Sequence, residues 1–398
     1  MGNSPFVKSA VAVGCALACT GAIAANDGQG IPVGPFNMSA SLGLILENDD
    51  NVYLSNANRR AATIEVLSPS VKLVTQRRDD VYSLSYGASL TRYNSGASNN
   101  NSNTQNLTGE ADIIATSRLS FKLKPSYVLG IDPIGTTYGG AVATPNKWRN
   151  AGISGTMDYG SAGAKGKIEL AAGYMATKYL NNRNITIAFD KKITNLGGTF
   201  FYRVMPRTSL LFEASNARYA YDNAASLVPN NSIRNYLIGA QWESTAKTTG
   251  DFRIGQVQQR YEGGAIPDFT GTGWNGSITW NAKPYSRVNL ALTRQPQQST
   301  LPGSSLYLVT SSTADWAYDW DSRFTAHLNA SRINEDFRWL GVYTTNNSYG
   351  VSVDYRMRRW FTANLGWKTW SKSVNLPAYS SFFVYDRNVF MLSLVGSL

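Results

Sequence analysis

The sequence predicts an all-β chain closed into a single transmembrane antiparallel barrel of the outer-membrane type, with about 18 strands, long extracellular loops and short periplasmic turns. Three observations predict it. Apolar and polar residues alternate with a period of two along most of the chain. Short turns and long polar loops take turns between those segments. An export signal opens the sequence.

In the signal, Lys8 precedes the apolar stretch Ser9 to Ile23, and Ala22-Ile23-Ala24 supplies an A-x-A cleavage site. Residues 1–24 are therefore expected to be a secretory signal peptide removed after Ala24. Both cysteines, Cys15 and Cys19, fall inside it. Ala12 and Ala16 stand three positions upstream of them, where a lipoprotein signal needs a leucine-like residue. A cysteine-free remainder suits an oxidising periplasm. A short periplasmic segment, 25–35, is expected to lead into a barrel over 36–398, with no periplasmic domain.

The chain has 398 residues, 43% of them hydrophobic, which is too apolar for disorder. After the leader no apolar run approaches the roughly 18 residues of a spanning helix. With one histidine, and no cysteine beyond the leader, His/Cys metal centres and C-x-x-C redox chemistry are excluded. No nucleotide motif occurs and no cofactor is expected. The net charge of +11 includes Lys8 of the leader.

The strands declare themselves in order. Tyr82, Leu84, Tyr86, Ala88 and Leu90 alternate with Ser83, Ser85, Gly87 and Ser89. Leu119, Phe121, Leu123, Tyr127 and Leu129 alternate with Ser120, Lys122, Lys124 and Ser126. Trp274, Ile278 and Trp280, then Phe324 to Ala330, then Phe361 to Trp367 repeat the pattern. Short turns are expected near 77–80, 116–117, 160–163, 205–208, 244–248, 282–286, 319–322 and 356–359. Long loops are expected over 48–62, 94–105, 130–147, 178–191, 218–232, 261–271, 294–306, 332–346 and 370–386. An even strand number places both termini on the short-turn side. A soluble sandwich would also alternate. The export signal, the sustained loop asymmetry and aromatic residues near strand ends (Tyr127, Tyr174, Trp242, Trp280, Tyr355, Trp360, Trp367) favour the barrel.

Several short stretches carry a family resemblance. Glu47-Asn-Asp-Asp-Asn-Val-Tyr53 resembles the D-D-N-V-[FY] signature of outer-membrane barrels found with exopolysaccharide operons, the EpsL-like and Wzp-like members of a β-barrel porin family. Tyr179-Leu-Asn-Asn-Arg183, Asp190, Val204-Met-Pro-Arg-Thr208, Phe269-Thr-Gly-Thr-Gly-Trp274 and Ile278-Thr-Trp-Asn-Ala-Lys-Pro284 match further stretches. The chain departs from the usual barrel ending by finishing in Leu398 rather than an aromatic residue. The resemblance implies a role in moving secreted polysaccharide across the outer membrane.

Parity opposite the apolar positions points Lys72, Lys122, Lys124, Lys167, Arg253, Arg323 and Lys368 into the lumen, together with Glu110, Asp112, Glu169, Glu213 and Asp251. This is a mixed lumen with a small positive excess. It reads either as a bias toward anionic or hydroxylated cargo or as charges paired across a hydrated interior. A second basic group, Arg77, Arg78, Arg118, Lys165, Arg207, Lys247, Lys283, Arg287, Arg323, Arg356, Arg358 and Arg359, lies at the short turns. This rim can meet phospholipid head groups, an anionic polymer or an acidic partner.

His327 shares the inward face with Arg323, Thr325, Asn329 and Ser331, and no G-x-S-x-G appears, so no enzyme is expected. Asp49 and Asp50 invite a calcium reading, but adjacent residues on an extended loop point apart, so solvated turn residues are expected instead. The Asn/Ser-rich stretch 94–106 reads as an external loop.

The function expected is therefore the outer-membrane component of an exopolysaccharide secretion system. Its partners would be outer-membrane lipid and lipopolysaccharide, the secreted polysaccharide, and a separate periplasmic export protein, with no nucleic acid. The alternative is a general diffusion porin for small solutes, anionic ones included, with loop 130–147 folded inward as its constriction.

Overall fold

A computed structural model describes residues 30–94, 96–136, 142–161, 163–223, 229–243, 247–264, 266–299 and 306–398, so the expected signal peptide lies outside the described residues. A short β1 (Ile31–Val33) folds back on the start of β2 (Phe36–Asp49). There follow β3 (Ala62–Arg77), β4 (Asp80–Tyr93), β5 (Ser102–Thr116), β6 (Leu119–Asp132), β7 (Asn146–Tyr159) and β8 (Gly166–Tyr179). Next come β9 (Lys191–Met205), β10 (Thr208–Tyr221), β11 (Asn231–Trp242), β12 (Thr248–Tyr261), β13 (Phe269–Lys283) and β14 (Ser286–Gln298). The set ends with β15 (Leu306–Asp319), β16 (Phe324–Phe337), β17 (Val342–Arg358), β18 (Phe361–Val374) and β19 (Tyr385–Ser397).

Each strand pairs antiparallel with its neighbours in sequence. The last then returns to the first long one, β19 pairing with β2 from Val389↔Asp49 to Ser397↔Ser41. Strands β2 to β19 therefore close an 18-stranded barrel. Closure matters physically because a sheet edge left open in hydrocarbon would strand a row of N–H and C=O groups, each costing several kcal/mol.

The two faces separate as the alternation requires. Leu42, Leu44 and Leu46 of β2, Leu67 and Val71 of β3, and Tyr82, Leu84 and Tyr86 of β4 are all exposed. The register aligns them in cross-strand rows such as Leu73↔Leu84 and Val71↔Tyr86. A soluble protein would bury such rows; here they form the lipid-facing band. Toward the short turns that band ends in edge-to-face aromatics, with Tyr285–Tyr318, Trp316–Tyr318 and Tyr318–Trp320 ring centroids 5.4, 5.8 and 6.5 Å apart. Gly239 and Gly255 lie on the paired strands β11 and β12. A Cβ on either would lie about 2 Å from a backbone oxygen of the paired strand.

One expected long loop is absent. The stretch 332–346 is mostly strand: β16 and β17 run on to Phe337 and Val342, leaving only residues 338–341 as a turn with Trp339 and Gly341 at positive φ. Its asparagines and threonines resemble a loop in composition, yet they extend a ladder whose one face is wet. The regular helices among the described residues are single turns in loops, α1 (Arg183–Thr186) and α2 (Ser380–Phe383), besides short 3-10 segments.

Ile254 lies midway along β12 on the outer face. Ile254→Arg should destabilise the barrel by about 2–4 kcal/mol in lipid. Reversible urea unfolding in vesicles measures this, and a change well under 1 kcal/mol would contradict the lipid-facing assignment.

Candidate functional site: the lumen wall and its extracellular mouth

The inner wall is polar and largely self-neutralised. On β5 and β6, Lys122 Nζ lies 3.2 Å from Glu110 and 3.1 Å from Asp112, and Lys124 Nζ lies 3.1 Å from Glu110. Lys167 of β8 pairs with Asp158 of β7 at 2.7 Å. Arg253 of β12 is 4% exposed and reaches over Gly239 of β11 to Glu213 of β10, with Asp251 at 3.7 Å. Glu169 is buried on β8 opposite Thr199. Lys72 is exposed on β3 between Ser39 and Ser85. Arg323 is not on the wall: it lies in the turn between β15 and β16, where its carbonyl accepts the Arg356 N–H, so it belongs to the periplasmic rim.

The basic residues assigned to the short turns are found there. Arg77 and Arg78 lie at the β3–β4 turn, Arg207 at β9–β10, and Arg356, Arg358 and Arg359 at β17–β18. Asp321 takes the Arg323 and Phe324 N–H groups, which hold its carboxyl below the usual carboxylate range.

Further inward charges are present, three of them (Asp49, Glu335 and Lys372) in stretches expected to be loops. Asp49 and Glu47 on β2, Asp315 on β15, Glu335 on β16, Asp354 on β17, Lys372 on β18 and Arg387 on β19 join the wall. Carrying the alternation through the polar strand ends would have found them. With them the expected small positive excess disappears.

Asp49 and Asp50 are not solvated turn residues. Asp49 is 1% exposed and accepts Arg387 Nε at 2.9 Å and the Asn51 N–H at 2.9 Å. Asp50 accepts both the backbone N–H and the side-chain amide of Asn388, at 2.7 and 2.8 Å. The fully buried Asn51 donates to the carbonyls of Ser55 and Asp386 at 2.8 Å each, and accepts the Ser55 N–H at 2.9 Å. The Asp49-Asp-Asn51 motif thus fastens the β2–β3 loop to β19 where the barrel closes. Beside it, Glu335 accepts Lys372 Nζ at 2.7 Å and the Thr344 hydroxyl at 2.6 Å, while Lys368 Nζ and Arg387 Cζ lie 4.8 and 4.9 Å from the Trp370 ring centre.

The matched stretch Tyr179 to Arg183, with Asp190, is also structural. Arg183 forks onto Asp190 at 2.9 and 2.8 Å and onto the Tyr179 carbonyl at 2.9 Å, and Asn181 and Asn182 bind Pro145 O and Asn146 Oδ1. They tie the β8–β9 loop to the β6–β7 loop. At the mouth, Val52 and Ala97 from two loops pack on Ala62, Ile64 and Tyr93, and Phe383 from the last loop packs on Phe337 and Val342. Loop 50–61 therefore folds against the inner wall, a role the sequence assigned to 130–147, part of which lies outside the described residues. Lower in the barrel, His327 Nε2 lies 3.0 Å from Asp354 Oδ2, and Asn364 donates to the other Asp354 oxygen at 2.6 Å.

One cross-strand row combines both signs without neutralising them. Asn289, Asp315, Asn329, Gly350 and Lys368 are successive partners across β14 to β18. Among the described residues neither Asp315 nor Lys368 has an ion-pair partner, and Asp315 is exposed.

The model of the "Putative beta-barrel porin 2" family matches residues 24–397. The chain belongs to this family. As a member of it, the protein is an outer-membrane β-barrel of porin type. In fold it is similar to Pseudomonas aeruginosa OccK2 (OpdF) solved with glucuronate, at 13% identity over 93% of this chain and 100% of that one, TM-score 0.54. It is similar also to Acinetobacter baumannii OccAB3, at 10% identity over 92% and 100%, TM-score 0.51. A third is Pseudomonas aeruginosa OpdK solved with vanillate, at 12% over 91% and 99%, TM-score 0.50. No curated protein sequence matches the chain. Neither the family match nor these similarities tie it to exopolysaccharide export.

Breaking the seam pair should be costly, because it leaves a buried charge uncompensated. Asp49→Asn should destabilise the barrel by about 3 kcal/mol, and the double variant Asp49→Asn/Arg387→Gln by less than the sum of the singles. Urea midpoints in lipid test this, and additive losses would show that the two side chains are not coupled. In the β12–β13 loop, Arg260 and the Tyr261 N–H hold the Asp268 carboxyl below the usual carboxylate range. The folded value lies below the unfolded one, so the tie is complete at neutral pH and is lost as pH falls through the lowered value. Limited proteolysis of that loop should therefore stay unchanged down to mildly acidic pH, and in Asp268→Asn should already be faster at neutral pH.

Proposed function

We propose that the protein is a passive diffusion porin for small hydrophilic solutes. The observation that carries this reading is the inner wall: a closed ring of 18 strands faced with Ser, Thr and Asn and with charges of both signs, most of them paired on the wall itself. Rings of this size leave an aqueous channel. Charges that neutralise each other over one or two strands keep the wall hydrated without holding a passing solute tightly, which suits rapid exchange. Glucuronate and vanillate belong to the similar channels solved with them; the wall of this chain supplies its own argument.

Selectivity in this reading falls to the unpaired members, Lys368 and Asp315 above all. The purified barrel in planar bilayers should show stable open-channel steps. Lys368→Gln should move the reversal potential in a salt gradient toward cation preference, and Asp315→Asn toward anion preference. Folded protein that conducts no ions overturns the porin reading. A clean deletion separates it from polymer export. Reduced uptake of small solutes with intact surface polysaccharide supports the porin; lost surface polysaccharide with unchanged uptake supports export.

A further inference from the structure

The outer face holds a charge arrangement that the lumen does not explain. On β7 and β8, Arg149 and Lys178 are direct cross-strand partners. They share the face of the exposed Ile153 and Tyr174, so both point away from the barrel interior. Lys147 lies two residues further toward the loops on the same face, and Lys192 of β9 lies diagonal to Lys178, opposite Ala176. All four side chains are exposed. Among the described residues the one acid paired with this group is Asp222, at 2.7 Å from Lys192, and Arg149, Lys178 and Lys147 have no ion-pair partner.

Directly opposed residues of an antiparallel pair hold their Cβ atoms ~5 Å apart, and like charges there repel. Ile153 and Tyr174, four residues below on the same face, mark the hydrocarbon band. Four residues of strand rise about 13 Å, less once tilted, which brings the cations to the head-group layer on the long-loop side. That layer is the outer leaflet of the outer membrane.

We infer that Arg149, Lys178, Lys147 and Lys192 form a binding site for the phosphate of an outer-leaflet glycolipid, lipopolysaccharide. A phosphate brings nearly two negative charges and three acceptor oxygens. The planar guanidinium of Arg149 takes two of those oxygens as a fork, and the lysines supply compact point charges around them. The bound phosphate turns a repulsive cross-strand pair into a bridged one. This inference stands apart from the porin reading and survives its failure.

The test uses the full barrel in detergent, with binding read by native mass spectrometry and by the thermal transition. The probes are bisphosphorylated lipid A, the same lipid enzymatically dephosphorylated, and inorganic phosphate. The variant is Arg149→Gln/Lys178→Gln, with heat-modifiable electrophoretic mobility confirming that it is folded. Wild type should bind the phosphorylated lipid with a salt-dependent affinity and a raised thermal transition, and the dephosphorylated lipid and free phosphate far more weakly. The variant should lose roughly tenfold in affinity for the phosphorylated lipid. It should be no less stable than wild type in lipid-free detergent, since the repulsion is gone. Equal binding of the two lipids, equal binding of inorganic phosphate, or undiminished lipid binding by the folded variant overturns the assignment.

Discussion

Everything in this molecule depends on the pairing of β19 with β2. A sheet in hydrocarbon has no water to satisfy its edges, so the last strand has to find the first or the ladder fails along its whole length. Joining ends more than 300 residues apart carries a large loop-closure cost, and the seam receives side-chain reinforcement accordingly. Asp49 with Arg387, Asp50 with Asn388, and Asn51 with the carbonyls of Ser55 and Asp386 extend the backbone ladder beyond its last rungs. The stretch of sequence that most resembles a family signature is the stretch that closes the ring.

The seam also organises the mouth. By anchoring the loop after β2, it holds Val52 and Tyr53 against Ala62, Ile64 and Tyr93 on the inner wall. On the other side of the seam, Phe383 is drawn onto Phe337 and Val342. Two apolar pads thus flank a buried ionic network at the opening. Channel shape at the extracellular end follows from closure chemistry.

The barrel has three separate electrostatic regimes. Inside, carboxylates and ammonium groups compensate each other over one or two strands and leave a few exceptions to act on solutes. At the short turns, arginines and lysines face the periplasmic side beside an aromatic girdle. On the outer face near the long loops, Arg149 and Lys178 oppose each other, and among the described residues neither has an ion-pair partner. The same residue types serve different surroundings because strand parity and position along the strand decide which surface they reach.

The sequence by itself determined the architecture: period-two alternation, loop asymmetry and an export signal imply a barrel of this size, since strand faces and turn lengths are local properties. Parity also placed most of the lumen charges, such as Lys122, Glu110 and Arg253, on one face. What it left open was anything set by partners distant in the chain. Asp49 looks like a solvated loop residue until Arg387 arrives from the last strand to bury it, and Arg323 falls in a turn because β16 starts one residue later. The polar stretch 332–346 reads as loop until neighbouring strands give its asparagines and threonines a ladder. Burial and ion pairing depend on which strands become neighbours, and only closure of the tertiary structure decided that.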